Sequence, residues 1–218
     1  MSIIHRACAF AAAGLVLLCA NVASAAIAYD VTTGTLGNQD YSGPLGLDFD
    51  VNAGQSITVT QLGAFDSGTD GIDGQLDVGI FDRNTGLLVG SVAVITTADN
   101  LVNGNRFEDI VDFVLGPGNY SIVADGFDAV DLNFNSSGAA NTSNSQDTGG
   151  GAISYVGGGR FGGGGDPLSF PGGTDGGPED RYNAGTFQFE VVSVPEPSSL
   201  VLIGLGMVGL FGAYSRRR

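Results

Sequence analysis

The chain has 218 residues, with eight basic against 23 acidic side chains, a formal net charge of −15, one His, two Cys and no Trp. Its reactive residues sit at the ends, His5, Cys8 and Cys19 near the start and Met207 near the finish, so Ala26 to Val194 contains no Cys, His, Met, Lys or Trp. That excludes thiol nucleophiles, imidazole bases, disulfides and the usual zinc sites from the central segment, and with them serine–histidine and cysteine–histidine catalysis.

Four arginines, Arg83, Arg106, Arg160 and Arg181, stand in that segment against 22 acidic residues, which leaves it at −18. Such a charge repels nucleic acid and anionic lipid, so no nucleic-acid partner is expected, and it suits a soluble secreted module that attracts divalent cations. Roughly 170 residues are enough to build one core without disulfides.

In chain order, His5 and Arg6 form a short basic start, Ala7 to Ala20 an apolar core, and Ala23-Ser24-Ala25 a small-x-small cleavage motif. Residues 1–25 therefore read as a helical signal peptide, with signal peptidase as the partner and Ala26 as the mature start. Cys19 is not read as a lipidation site, because the residue before it is the large Leu18.

Leu45 to Val51 alternates apolar and acidic positions as a half-buried strand does, which points Asp48 and Asp50 outward. Ser56 to Phe65 turns Ile57, Val59, Leu62 and Phe65 inward, with a register change near Gly63 that a bulge absorbs. Leu76, Val78 and Ile80 alternate again, Asp82 to Gly86 supplies turn chemistry, and Leu87 to Ile95 runs back as a hairpin. Phe107 to Leu115 and Asn119 to Ala124 flank Gly116-Pro117-Gly118 as a second hairpin. Val130 to Phe134, Ile153 to Val156 and Gly185 to Val192 are the remaining strands, and Asn100 to Ile110 has room for a short helical turn. Eight to ten strands with Gly and Pro turns predict an all-β, antiparallel two-sheet sandwich, jelly-roll-like, over residues 26–193. Residues 135–183 form an insertion in which 14 of the 30 residues from Thr148 to Gly177 are glycine, predicting a mobile surface flap from which Ile153 to Val156 returns to the sheet.

The chain closes with Val194-Pro195-Glu196-Pro197, an apolar run from Leu200 to Tyr214, and Arg216, Arg217 and Arg218. The prolines end the preceding strand and leave the backbone accessible to a processing enzyme. About 15 apolar residues make a hydrophobic helix of roughly 22 Å against a ~30 Å hydrocarbon core, a marginal span whose arginines favour a cytoplasmic end. Gly204, Gly206 and Gly209 mimic a dinucleotide fingerprint but follow no strand, and they read as close-packing positions of that helix.

Pro195-Glu196-Pro197, the hydrophobic segment and the terminal arginines, in this order, are similar to the PEP-CTERM sorting signal of Gram-negative bacteria. The resemblance covers residues 194–218. It implies recognition by an exosortase-like membrane enzyme, transient insertion in the inner membrane, and export through the periplasm to the cell surface or extracellular matrix, in a biofilm or exopolysaccharide setting. Gly63 to Gly68, the Leu115 to Val123 hairpin, and Asp175 to Pro178 with Arg181-Tyr182 also resemble a β-sandwich ectodomain common among PEP-CTERM proteins.

Two sites are candidates in the ectodomain. Asp66, Asp70 and Asp73 alternate with glycines in one loop, and calcium takes six to eight oxygens that carboxylates and folded-back carbonyls supply, so this loop is a candidate Ca2+ site, with Asp175, Glu179 and Asp180 as possible completing ligands. Tyr41, Tyr155 and Tyr182, with Phe161 and Phe170, lie in or near loops as candidate sugar-stacking rings, extracellular polysaccharide being the partner. A paired-carboxylate glycosidase is the one common catalytic scheme still open, but Glu108, Glu179 and Glu190 are the only glutamates between Ala26 and Val194 and no Trp platform accompanies them. The reading is a non-catalytic exported surface protein, the alternative a calcium-assisted carbohydrate-binding module.

Overall fold

The structure, a computed structural model, describes residues 25–163 and 168–192. Ala23, Pro195, Glu196, Pro197, Arg216, Arg217, Arg218 and both expected terminal helices lie outside the described residues, while Ala25 opens them. The domain runs through β1 (Ala26–Ile27), β2 (Tyr29–Val31), β3 (Leu45–Val51), β4 (Ile57–Phe65), β5 (Leu76–Asp82), β6 (Leu88–Ile95), β7 (Asn100–Val102) and β8 (Asn105–Leu115). It continues through β9 (Gly118–Asp125), β10 (Phe134–Asn135), β11 (Asn144–Gln146), β12 (Ile153–Phe161), β13 (Gly173–Thr174), β14 (Tyr182–Asn183) and β15 (Gly185–Val191).

These strands form a five-stranded sheet, β1-β15-β4-β8-β7, and a six-stranded sheet, β13-β12-β3-β9-β5-β6, with two small pairs, β10-β14 and β11-β2. Every pairing is antiparallel, so the domain is the all-β sandwich that the alternation predicts. Because side chains alternate across a strand, Leu45, Leu47, Phe49 and Val51 all leave β3 on one side and are buried in the core. They meet the opposite sheet directly, with Phe49 4.8 Å from Phe187 between ring centroids. Among the described residues no helix is long and apolar enough to cross a membrane.

Local signals hold where the chain closes on itself. Asp82 Oδ1 accepts the backbone N–H groups of Asn84 and Thr85 at 2.8 and 2.9 Å and Gly86 takes φ 68°, so the β5–β6 hairpin forms as its turn residues dictate. Asn100 to Ile110, expected to hold a helical turn, is instead the β7–β8 hairpin, whose two-residue loop Asn103-Gly104 is itself a strong hairpin signal. Gly116-Pro117 does not close a hairpin: β8 pairs with β4 and β7 while β9 pairs with β3 and β5, so this turn carries the chain from one sheet to the other.

Three further expectations change. The bulge of β4 falls between Val59 and Gln61, and Gly63 serves instead to admit β8, since a Cβ there would lie 2.6 Å from the Phe107 ring. Only Phe134 of the Val130 to Phe134 candidate is in a strand, and Val130 is exposed. The glycine-rich insertion supplies the second residue of β10 and all of β11 to β14, including β12, a nine-residue strand of the main sheet. Its glycines answer a packing need: a Cβ on Gly158 would strike the Asp175 carbonyl, and one on Gly159 the Tyr182 ring. The ordering entropy that glycine brings is here offset by contacts that no larger residue permits.

Candidate functional site

All four arginines of the domain are engaged in ion pairs. Arg83 meets Asp48 at 3.2 Å and also pairs with Asp50, Arg160 meets Asp48 at 2.7 Å, Arg106 meets Asp66 at 2.7 Å, and Arg181 meets Asp175 at 3.3 Å. Among the described residues no other carboxylate forms an ion pair with a guanidinium, and the excess of acids leaves the surface anionic.

Asp48, expected to face solvent, does point away from the core but is only 5% exposed. The cover comes from the insertion: the Phe170 ring lies 5.9 Å from Phe81 and 4.9 Å under the Arg160 guanidinium, and a Cβ on Gly79 would touch Leu168. Phe170 is thus a lid on the outer sheet face, where an unpaired carboxylate is costly and two arginines compensate it.

In the acidic loop, Asp66 is 1% exposed and accepts hydrogen bonds from Arg106 Nε at 2.7 Å and from the Gly71 N–H at 3.2 Å. It is a structural group of the loop and not a free ligand. Asp70 and Asp73 instead line a cavity of about 260 Å³ with Gly71, Ile72, Thr97, Val130 and Asp131. There the Asp73 N–H donates to the Asp131 carboxylate at 2.9 Å, and burial, reinforced by Asp128 and Asp73, pushes the Asp131 carboxyl above its ordinary range. Asp175 and Asp180 are elsewhere, at the aromatic cavity described next and beside Asn141 respectively. Among the described residues no group of three or more His, Cys, Asp or Glu side chains is arranged to hold a metal ion, so the expected Asp66-Asp70-Asp73 ligand set does not assemble.

The aromatic candidates separate. Tyr155 is structural: its hydroxyl sits 2.7 Å from the Ala28 carbonyl and 2.6 Å from that of Asp147, its ring packs edge-on against Tyr29 at 4.8 Å, and burial raises its phenol far above the usual range. Tyr41 and Tyr182 line one cavity of about 250 Å³, whose other walls are Gln39, Leu45, Asn135, Phe161 and Asp175, and Tyr182 is at the same time a core residue, 2% exposed. Pairing of β14 with β10 sets Tyr182 opposite Asn135, and pairing of β12 with β3 sets Phe161 opposite Leu45. Gln39 is brought in by its bridge to Asn133. Tyr182 donates to Asp175 Oδ2 at 2.5 Å, and burial first, then that bond and the Asp175 charge, raise its phenol well above the ordinary value. Arg181 closes the frame, donating from Nε to Asn135 Oδ1 at 3.2 Å while its guanidinium lies 5.7 Å from the Tyr182 ring centre. Gln39, Asn135 and Asp175 escaped sequence reasoning as a set, because they lie up to 136 positions apart and no spacing rule connects them.

At the C-terminus, residues 193–218 match the PEP-CTERM protein-sorting motif. No curated protein and no solved structure matches the chain. The motif indicates export, with a C-terminal sorting signal, and implies processing by an exosortase-type system. The chain thus carries a PEP-CTERM sorting motif at residues 193–218 behind a β-rich ectodomain.

Proposed function

We propose that this is a non-catalytic module of the cell surface or extracellular matrix, released by signal peptidase after Ala25 and handed on by an exosortase-type enzyme at Pro195-Glu196-Pro197. The observation that carries the proposal is the sorting motif at residues 193–218. Two features support its non-catalytic character: Ala26 to Val194 contains no Cys, His or Lys, and the domain's four arginines are all committed to ion pairs. An anionic, disulfide-free sandwich suits a hydrated exopolysaccharide setting, where net charge keeps it soluble.

The test is cell fractionation with intact-mass measurement of the parent and of a variant with Pro195, Glu196 and Pro197 all replaced by Ala. The parent is expected at the surface, lacking both end segments, and the variant in the membrane fraction with residues 198–218 still attached. A variant that reaches the surface with the parent's mass refutes the assignment. Sugar recognition is a second reading, favoured by the cavity at Tyr41 and Tyr182; its calcium component lacks such support, since Asp66 is occupied by Arg106.

A further inference from the structure

We infer that the Tyr41–Tyr182 cavity binds a single neutral hexopyranose ring. The inference takes its ligand source, an extracellular glycan, from the matrix reading above, but its geometry stands apart from that reading.

Four observations converge on this ligand. First, the lining is divided as a sugar is divided: the Phe161 and Tyr41 rings offer apolar surface, backed by the buried Leu45 and Tyr182, while Gln39, Asn135 and Asp175 place polar atoms beside them. A pyranose presents C–H patches suited to aromatic walls and hydroxyls that both donate and accept. Phe161 is 38% exposed, so its ring is available at the mouth.

Second, the polar groups are incompletely satisfied. The Gln39 side-chain oxygen is buried and finds no donor among the described residues. A buried acceptor without a partner is costly, which favours a rotation of the Gln39 side chain that turns this oxygen to a ligand hydroxyl in the cavity. Asn135 Oδ1 already accepts from Arg181 Nε and from the Ser137 N–H, which directs its NH2 group to act as a donor. Asp175 spends Oδ2 on Tyr182 and Arg181 and keeps Oδ1 as an acceptor.

Third, size selects one ring: about 250 Å³ is below the ~300–1,000 Å³ of sites for drug-sized ligands, so an oligosaccharide enters by one residue. Fourth, charge disfavours both ions: the −18 of the domain repels uronates and sulfated sugars, while Asp175, already paired with Arg181 at 3.3 Å, offers an amine no unpaired carboxylate.

The experiment is saturation-transfer NMR on the full-length chain in a detergent without a sugar headgroup. The probes are glucose, galactose, mannose, N-acetylglucosamine, glucosamine and glucuronate. At least one neutral sugar is expected to bind in the millimolar range, with glucosamine and glucuronate giving no signal. Phe161→Ala and Gln39→Ala should each weaken that binding about five- to tenfold, the scale of one aromatic face or one buried hydrogen bond, and Asp73→Asn should leave it unchanged. Circular dichroism melts establish that each variant is folded, and Gln39→Ala serves if Phe161→Ala is not. No transfer to any neutral sugar, preference for a charged one, or full binding by the folded variants overturns the inference. None of these results bears on the fractionation outcome of the sorting-motif variant, so the two proposals fail separately.

Discussion

Asp48 on β3 and Asp66 at the end of β4 begin alike, as carboxylates in acidic, turn-flanked sequence, and both end buried against arginine. They differ in how the burial is made. Asp48 is covered from outside by a segment more than a hundred residues away and needs two guanidiniums, from Arg83 and Arg160. Asp66 is enclosed by its own loop, takes one guanidinium, and draws a further hydrogen bond from the nearby Gly71 N–H. In a domain with 22 acids and four cations, the positions of the arginines decide which carboxylates are structure and which remain solvated surface.

The contrast is broken most directly by removing each pair. Asp48→Ala leaves Arg83 and Arg160 without their shared partner and is expected to cost about 3–5 kcal/mol in denaturant unfolding. Arg106→Met should cost less, about 2–3 kcal/mol, because the Gly71 N–H continues to serve Asp66. An Arg106→Met loss as large as that of Asp48→Ala would show that loop enclosure contributes nothing.

A pH titration sharpens the same point from the side of groups buried without charge. Tyr29, Tyr155 and Tyr182 all have phenols raised above the ordinary range, each chiefly by burial. The folded state holds these protons more tightly than the unfolded chain, so their stabilising contribution is complete below the unfolded value of about 10 and falls away as pH rises toward the folded values. The melting temperature should therefore decline above about pH 10, and Tyr182→Phe should make that decline shallower. An equal slope in the variant would mean that Tyr182 does not take part.

The smallest effects belong to the acids that no arginine reaches. Asp70→Asn and Asp73→Asn should each change stability by no more than about 0.5 kcal/mol, as surface substitutions do. A loss above 1 kcal/mol, on the order expected only for structural groups, would place them with Asp66.

Much of the fold was legible because its signals are short. The alternation of Leu45 to Val51 and of Leu76 to Ile80, and the Asp82 to Gly86 turn, report backbone geometry within a few residues. Asn103-Gly104 is just as local a signal, and as a two-residue hairpin loop it outweighs the helical turn expected over Asn100 to Ile110. The exchange of sheets at Gly116-Pro117 was a different matter, since a turn specifies that the chain reverses without specifying which strand it then joins. Glycine misled for a related reason: the same residue that loosens a chain also lets two segments approach, and only the presence of Tyr182 beside Gly159 tells the two apart.

Residue order alone settled the all-β class, the poverty of reactive side chains and the sorting motif, because each depends on composition or on neighbours within one short window. Packing across the chain settled the rest: that Asp48 and Asp66 are interior, that Tyr155 is a strut, and that Tyr41 shares a cavity with Tyr182. Burial and pairing are properties of what arrives from a distance, and residues 141 positions apart meet only once the strands between them have paired.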